Sequence, residues 1–170
     1  LIKHKLPHPP ITLLFTVREE SGLHGSRELN PADLGGAAMC INVDGQLASE
    51  LLIGAVGQDN WEVEITGRAS HAGVAPEKGI SATMVGALAL AEARSAGWFG
   101  KVVKSDGRGT SNVGIFGGKD GKVAAGDATN VVTDYAYIKG EARSPDAAFA
   151  TKIANGYKDA FAKAKAAVVD

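Results

Sequence analysis

WEVEIT, at Trp61–Thr66, alternates strictly between apolar and polar side chains. A period of two is typical of a strand that buries one face and exposes the other, the usual state in antiparallel sheets. Trp61, Val63 and Ile65 are therefore predicted to face a core, and the side chains between them to face solvent. This strand predicts that the surrounding part of the chain is built on an antiparallel sheet.

Four further elements are predicted after this strand: an Ala-rich helix over Gly79–Ala96, strands over Ser111–Gly117 and Thr133–Ala142, and a final helix. Ser144 can cap the final helix, and Pro145 fits its first turn. Apolar residues recur in that helix at steps of three and four, namely Phe149, Ile153, Tyr157, Phe161, Ala164 and Val168. The order β-α-β-β-α predicts an α+β domain, a ferredoxin-like sandwich that lacks its last strand.

The pattern is different before residue 57. Ile11–Val17 (ITLLFTV) is a continuous apolar run, which predicts a strand covered on both faces. A short helix is predicted over Ser21–Leu29, and a second apolar run follows at Ala37–Val43. Together the three elements have the length of a βαβ unit. We therefore assign residues 1–57 to a fragment of an α/β domain and residues 58–170 to the α+β domain. Without sheet neighbours, the fragment is expected to expose its apolar strands.

Composition limits the classes of function. The 170 residues carry a net charge of −1, which argues against nucleic acid or an anionic membrane surface as a partner. Cys40 is the single cysteine, so an internal disulfide is excluded and a reducing, cytoplasmic location is favoured. No apolar run approaches the roughly 18–20 residues of a membrane span.

Three carboxylates are predicted to meet at one edge of the α/β fragment. Glu19 and Glu20 directly follow the first apolar strand, and Asp44 ends the second. Functional groups gather at the carboxyl ends of parallel strands, and converging carboxylates repel unless a cation neutralises them. One could then ligate a metal while its neighbour handles a water proton. The alternative is that all three are ordinary solvated turn residues.

Two further candidate sites lie in the α+β domain. His71, in the phrase GRASHAG, follows the alternating strand and could donate a hydrogen bond to a developing oxyanion. Asn130 and Arg143 flank the long strand, and an amide with a guanidinium suits recognition of a carboxylate or peptide carbonyl. The alternatives are a hydrogen-bonded loop histidine and a strand-end salt bridge between Arg143 and Glu141.

Five phrases, taken together, carry a family resemblance. They are Leu14–Leu29 (LFTVREESGLHGSREL), Ile41–Gly45 (INVDG), Gly67–Ala82 (GRASHAGVAPEKGISA), Ala128–Asp134 (ATNVVTD) and Glu141–Ser144 (EARS). In this order, they resemble the zinc aminoacylase/carboxypeptidase family of two-domain metallopeptidases, especially the peptidase T-like, tripeptide aminopeptidase branch. The resemblance implies an α/β catalytic domain into which a ferredoxin-like lid, which mediates dimerisation, is inserted.

The resemblance also implies residue roles. In the catalytic domain, Glu19 corresponds to the general base, and Glu20 and Asp44 correspond to ligands of two zinc ions. In the lid, His71 corresponds to a histidine that reaches the partner subunit's active site. Asn130 and Arg143 match lid positions associated with substrate binding. The resemblance thus assigns roles to six residues. A homodimer that acts on short peptides is therefore expected.

The chain departs from the family pattern in its metal ligands. An upstream His-x-Asp phrase, a bridging aspartate and a C-terminal histidine are not identifiable in the sequence. Two carboxylates cannot complete the coordination of two zinc ions. We therefore expect an internal segment of a longer cytoplasmic zinc exopeptidase, inactive alone. The alternatives are a lid and dimerisation module without catalysis, or a parent enzyme that is an N-acyl-amino-acid deacylase or a carboxypeptidase.

Overall fold

The computed structural model of the chain describes residues 3–42, 47, 49–50, 54–118 and 125–169. The chain divides into two compact units, Leu1–Leu51 and Leu52–Asp170. Among the described residues, none of the helices combines the length and the apolar character that crossing a bilayer requires.

The first unit contains short helical turns. Helix α1 spans His24–Arg27, inside the predicted helix, and a 3-10 helix follows at Pro31–Leu34. The two predicted strands of this unit are wrong for their described residues, 11–17 and 37–42, none of which lies in a strand. A strand requires a hydrogen-bonded neighbour, and none pairs with these described residues. The first run is 47% to 87% exposed at its large apolar side chains, Ile11, Leu13, Leu14, Phe15 and Val17.

The described residues of the second unit form an α+β domain of four strands and two α-helices, with a short 3-10 helix at Pro76–Lys78. In chain order, its elements are β1 (Gly57–Thr66), α2 (Ala82–Ser95), β2 (Gly100–Lys104), β3 (Gly107–Gly117), β4 (Tyr135–Ser144) and α3 (Ala147–Val169). The strands form one antiparallel sheet in the order β1-β4-β3-β2. The predicted α+β class and the ferredoxin-like lid are thereby confirmed.

The predicted order β-α-β-β-α omits strand β2. This strand has five residues, GKVVK, and pairs with β3 at the edge of the sheet from Gly100↔Ser111 to Lys104↔Gly107. Only Val102 is buried in it, so its apolar pattern is too short to show a period of two. Within the described residues, the sheet therefore has four strands before α3 begins, where the sequence predicts three.

The core lies on one face of the sheet, under α2 and α3. The predicted alternation of β1 is confirmed, because Trp61, Val63 and Ile65 pack into the core while the residues between them are exposed. In β4 the even-numbered residues are buried on the same face. The buried side chains form two neighbouring clusters that Trp61 and Val113 both contact. The opposite face of the sheet carries the polar side chains.

Helix α3 begins at Ala147, so the predicted cap is wrong: Ser144 and Pro145 lie before the helix, and the Asp146 side chain takes the capping position. The Ser144 hydroxyl accepts a hydrogen bond from the Asp146 N–H at 3.0 Å, and the Asp146 carboxylate accepts one from the Ala148 N–H at 2.9 Å. Four of the six predicted apolar positions are fully buried, namely Phe149, Ile153, Tyr157 and Ala164, and Phe161 and Val168 are half-buried. The helix therefore contributes a continuous apolar stripe to both core clusters.

Helix α2 packs through small residues. The Ser81 hydroxyl accepts a hydrogen bond from the Met84 N–H at 3.2 Å and so begins the helix. Its buried face consists of Ala82, Val85, Gly86, Ala89 and Ala93. Met84 and Leu88 point away from this face and are 53% and 41% exposed.

Candidate functional site

Glu19 and Glu20 lie in a tight turn that leads into α1. The Glu19 carbonyl accepts hydrogen bonds from the Gly22 N–H at 3.0 Å and the Leu23 N–H at 2.9 Å. Arg18, directly before them, has a φ of 56°, a left-handed conformation that is uncommon for a residue with a side chain. Both glutamates are exposed. The turn therefore presents two adjacent carboxylates to solvent on a constrained backbone.

The glycine at position 25 closes this turn. Its N–H donates to the Val17 carbonyl at 3.0 Å. A Cβ on Gly25 would lie 2.6 Å from the Val17 nitrogen, which is closer than any real side chain allows. The phrase ESGLHG thus keeps a glycine where two backbone segments touch.

The metal-ligand hypothesis concerns Glu20 and Asp44. Asp44 lies outside the described residues. Within the part of the chain that the structure describes, no group of three or more His, Cys, Asp or Glu side chains is close enough to hold a metal ion. A zinc site requires about four ligands. The described residues therefore do not assemble a zinc site, and the ligand roles of Glu20 and Asp44 stay predictions.

His71 and Asn130 are brought together by paired loops. His71 forms a β-bridge with Val131, and the Ala72 N–H donates to the Asn130 carbonyl at 2.9 Å. The Val132 N–H donates to the Ser70 carbonyl, also at 2.9 Å. The loop after β1 and the loop before β4 therefore form one small ladder. Both candidate side chains, His71 and Asn130, are exposed there.

Internal hydrogen bonds also hold the loop that carries His71. The Ser70 hydroxyl donates to the Ala75 carbonyl, and the Ala75 N–H donates to the His71 carbonyl at 3.0 Å. Further along, Arg68 and Ile80 exchange two backbone hydrogen bonds at 3.0 and 2.8 Å, and the Arg68 Nε donates to the Lys78 carbonyl at 2.6 Å. The backbone around His71 is thus fixed at both ends.

The imidazole of His71 has a defined hydrogen-bonding role. The Gly73 N–H donates to its Nδ1 at 3.1 Å. Because Nδ1 acts as an acceptor, the neutral ring carries its proton on Nε2. The exposed His71 side chain therefore offers an Nε2–H donor, the group that could stabilise a developing oxyanion.

Arg143 lies near the end of strand β4 that is farther from His71 and Asn130. Strand β4 has 10 residues, so at about 3.4 Å per residue it is about 30 Å long. Asn130 precedes Tyr135 at one end of this strand, and Arg143 is the next-to-last residue at the other. Asn130 and Arg143 are therefore not brought together within one domain.

The predicted alternative for Arg143, a salt bridge with Glu141, is present. The Arg143 Nε donates to the Glu141 Oε1 at 2.9 Å, and Nη2 donates to Oε2 at 3.0 Å. The hydrogen bonds and charge of Glu141 raise the pKa of Arg143 above its usual value. The Arg143 side chain is nevertheless 45% exposed.

Two contributors to these sites were missed in the sequence. Gln58 donates to the Glu141 carboxylate at 2.8 Å, and its position opposite Arg143 depends on the β1–β4 register. The Gly73 N–H that fixes the His71 ring depends on a local turn. Neither contributor is visible in the sequence. The sequence does show that Glu141 and Arg143 are two residues apart and therefore lie on one face of the strand.

Comparison with protein families identifies the α+β domain. Residues 53–168 match the family described as the peptidase dimerisation domain (M20_dimer). The chain belongs to this M20 peptidase family. Its described lid is therefore a dimerisation domain, and its structural neighbours place it in the peptidase T-like branch.

This M20 chain is similar to two curated proteins. It is 32% identical over 145 residues to the uncharacterized protein YqjE of Bacillus subtilis (strain 168), which covers 85% of this chain and 35% of that protein. It is 40% identical over 74 residues to Carboxypeptidase G2 of Pseudomonas sp. (strain RS-16), which covers 42% of this chain and 18% of that protein.

Two solved structures share the fold over most of the chain. The aminopeptidase PepT from Bacillus cereus ATCC 10987 has a TM-score of 0.70 and 32% identity, covering 90% of this chain and 37% of that one. A tripeptidase from Staphylococcus aureus subsp. aureus Mu50 has a TM-score of 0.64 and 28% identity, with the same coverage of 90% and 37%. The M20 chain therefore spans little more than a third of the length of these relatives.

Proposed function

We propose that the chain is the lid and dimerisation part of a cytoplasmic zinc-dependent exopeptidase that hydrolyses short peptides. The observation that carries the proposal is the ladder that joins His71 to Asn130 and leaves the His71 Nε2–H exposed. An N–H donor on a fixed backbone suits the oxygen of a peptide carbonyl under attack. Similarity to an aminopeptidase and a tripeptidase supports the same substrate class.

The position of Arg143 adds a requirement for two copies of the chain. A fully extended tripeptide spans about 10 Å, whereas His71 and Arg143 lie near opposite ends of a strand about 30 Å long. One short substrate cannot contact both residues of the same lid. In the proposed homodimer, one copy therefore supplies His71 and Asn130 to a substrate, and the other copy supplies Arg143.

Each proposed residue has a defined task. Glu19 takes the proton of the attacking water, and His71 donates its Nε2–H to the carbonyl oxygen as negative charge develops there. Asn130 and Arg143 bind polar groups of the peptide. Zinc would supply Lewis-acid chemistry, with Glu20 and Asp44 among its ligands, and this part rests on the family resemblance.

A second candidate function is supported by the similarity to Carboxypeptidase G2. In a carboxypeptidase, the guanidinium of Arg143 would bind the free C-terminal carboxylate of the substrate. The related N-acyl-amino-acid deacylases would place a carboxylate at the same position. These activities differ from an aminopeptidase only in which end of the substrate must be free.

Blocked substrates distinguish these candidates in the zinc-loaded peptidase that contains this chain. We expect hydrolysis of trialanine to persist, at a lower rate, for trialanine amide and to stop for N-acetyl-trialanine. Hydrolysis of the N-acetylated peptide but not of the amide would instead establish a carboxypeptidase or a deacylase.

The 170-residue chain should be assayed in parallel, with its zinc content measured. Stoichiometric zinc and turnover by this chain alone would refute its assignment as a lid and dimerisation module.

A further inference from the structure

We infer that Glu141 is a positioning residue, which holds the Arg143 guanidinium so that its outer edge faces a carboxylate of the substrate. The inference rests on the proposed function and adds the residue that orients Arg143 toward that carboxylate. The carboxylate pairs with Arg143 through hydrogen bonds, while Glu141 itself does not touch the substrate.

The geometry of the ion pair determines which part of Arg143 stays available. Glu141 binds the side of the guanidinium, through Nε at 2.9 Å and Nη2 at 3.0 Å. A guanidinium has five N–H donors, so both hydrogens of Nη1 and one of Nη2 remain. These lie along the Nη1–Nη2 edge and form a second fork. A carboxylate has two oxygens in one plane and matches this fork, whereas an amide offers a single oxygen.

Glu141 is itself held in place by the neighbouring strand. Gln58 of β1 donates to the Glu141 Oε2 at 2.8 Å and also to the Asn60 side-chain oxygen at 3.0 Å. In the β1–β4 register, Gln58 lies opposite Arg143 and Asn60 lies opposite Glu141. The chain of contacts thus runs from Asn60 through Gln58 and Glu141 to Arg143.

These four residues share the polar face of the sheet, opposite the core. Glu141 is half-buried and Arg143 is exposed, so Arg143 is the member of the pair that is more accessible to a ligand. An isolated exposed ion pair contributes little to stability, because both side chains lose freedom and water screens the charges. A bidentate pair with a third partner instead restricts the direction in which Arg143 points. Its role is therefore orientation of the guanidinium.

The test is peptide binding to the 170-residue chain, followed through the Arg143 Nε–H signal by NMR. We expect trialanine to shift this signal and trialanine amide to bind at least about fivefold more weakly. Glu141→Gln retains one acceptor of the two, so it should weaken trialanine binding by about fivefold and leave amide binding unchanged. The thermal midpoint of Glu141→Gln should not change. A merely structural role of Glu141 would instead lower the midpoint together with the affinity.

A matched control is Glu92→Gln, which breaks the exposed ion pair between Lys163 and Glu92, at 2.7 Å, on the helical side of the domain. It should leave both affinities unchanged. Equal binding of trialanine and its amide, unaltered trialanine binding by the Glu141→Gln variant, or no response of Arg143 at millimolar trialanine would each overturn the inference.

This experiment is independent of the proposed enzymatic activity. If the zinc-loaded peptidase fails to hydrolyse any short peptide while the acid is still preferred over the amide here, the proposed function fails and the role of Glu141 stands. If hydrolysis occurs and Glu141→Gln changes neither affinity, the proposed function stands and the role of Glu141 fails.

Discussion

The hydrogen bond from the Gly73 N–H to His71 gives one side chain a specific chemical form. Many loop histidines can carry the proton on either nitrogen, but this one keeps Nδ1 as an acceptor. The sequence predicts the residue and its oxyanion role. It does not predict the tautomer, which depends on the turn formed by residues 71–75.

Two substitutions of His71 test this form of the ring. A glutamine amide N–H reaches about as far as Nε2, whereas an asparagine N–H stops near the position of Nδ1. In the zinc-loaded peptidase, His71→Asn should lower kcat by about 10²–10³, the usual effect of losing one oxyanion donor. His71→Gln should retain more of the activity, with little change in KM for either variant. Steady-state kinetics on trialanine that show equal loss in both variants would contradict the Nε2 assignment.

Trp61 provides a second prediction at the scale of a residue. Its ring packs 4.4 Å from that of Tyr157, but within the described residues its buried Nε1 has no hydrogen-bond partner. An unpaired buried donor costs about 1–3 kcal/mol. Trp61→Phe removes this cost and some packing, so we expect the free energy of unfolding to change by less than about 1 kcal/mol. Trp61→Ala should lose about 3–5 kcal/mol.

Urea denaturation of both variants measures these differences. A loss for Trp61→Phe close to that for Trp61→Ala would show that the indole N–H makes a stabilising interaction.

At the scale of elements, β1 and α3 were predictable because their periods are long. The alternation of WEVEIT and the three- and four-residue steps from Phe149 each repeat often enough to fix a buried face. Strand β2 was not predictable, because a five-residue edge strand with one buried residue shows no period of two. Residues 11–17 and 37–42 show the opposite failure: their composition favours strands, but strand formation requires neighbours that composition does not provide.

Ser144 connects β4 to the start of α3 and is 1% exposed. Its hydroxyl donates to the Arg108 carbonyl at 2.9 Å and accepts from the Asp146 N–H at 3.0 Å. Ser144→Ala leaves both groups without this partner and should lower the free energy of unfolding by about 1–2 kcal/mol. Urea denaturation measures the effect, with the exposed turn variant Ser105→Ala as the matched control. Equal midpoints for the two variants would contradict the stabilising role of the Ser144 hydroxyl between β4 and α3.

The contact between α3 and β3 predicts a pH dependence. The Tyr157 hydroxyl meets the Ser111 hydroxyl at 2.9 Å, and burial raises the pKa of Tyr157 against the opposing effect of that hydrogen bond. The folded state therefore holds the phenol proton more tightly than the unfolded state. The resulting stability is complete below the unfolded pKa of about 10 and is lost as the pH rises through the folded value.

Urea midpoints measured from about pH 8 to 11 test this dependence. Tyr157→Phe should lose less stability over this range than the unaltered chain. Tyr137→Phe is the comparison, because the Tyr137 pKa is also raised, by its hydrogen bond to Glu62, but on the exposed face of the sheet. Identical alkaline slopes for Tyr157→Phe and the unaltered chain would contradict the assignment.

At the scale of the whole molecule, the motifs identified the family, and the fold then changed how the candidate residues are grouped. Asn130 and Arg143 are predicted as a joint site because they bracket one strand. The length of that strand separates them, and the bridge to Val131 joins Asn130 to His71 instead. Spacing along the sequence could not show this, since loop pairing and the β1–β4 register bring distant segments together.

The central claim is that one substrate is bound by His71 of one copy and Arg143 of the other. Two inactive variants of the zinc-loaded peptidase, His71→Ala and Arg143→Ala, test it most directly. In a mixed dimer of the two, one site has both residues intact and the other has neither. Random exchange makes about half of the dimers mixed, each with one intact site of two, so about a quarter of the original activity should return.

The measurement is the rate of trialanine hydrolysis after the two variants are mixed and subunit exchange is verified with distinguishable tags. Recovery to about a quarter of the unaltered rate is the result that the two-copy site predicts. A mixture that contains mixed dimers and is still as inactive as either variant alone would contradict it.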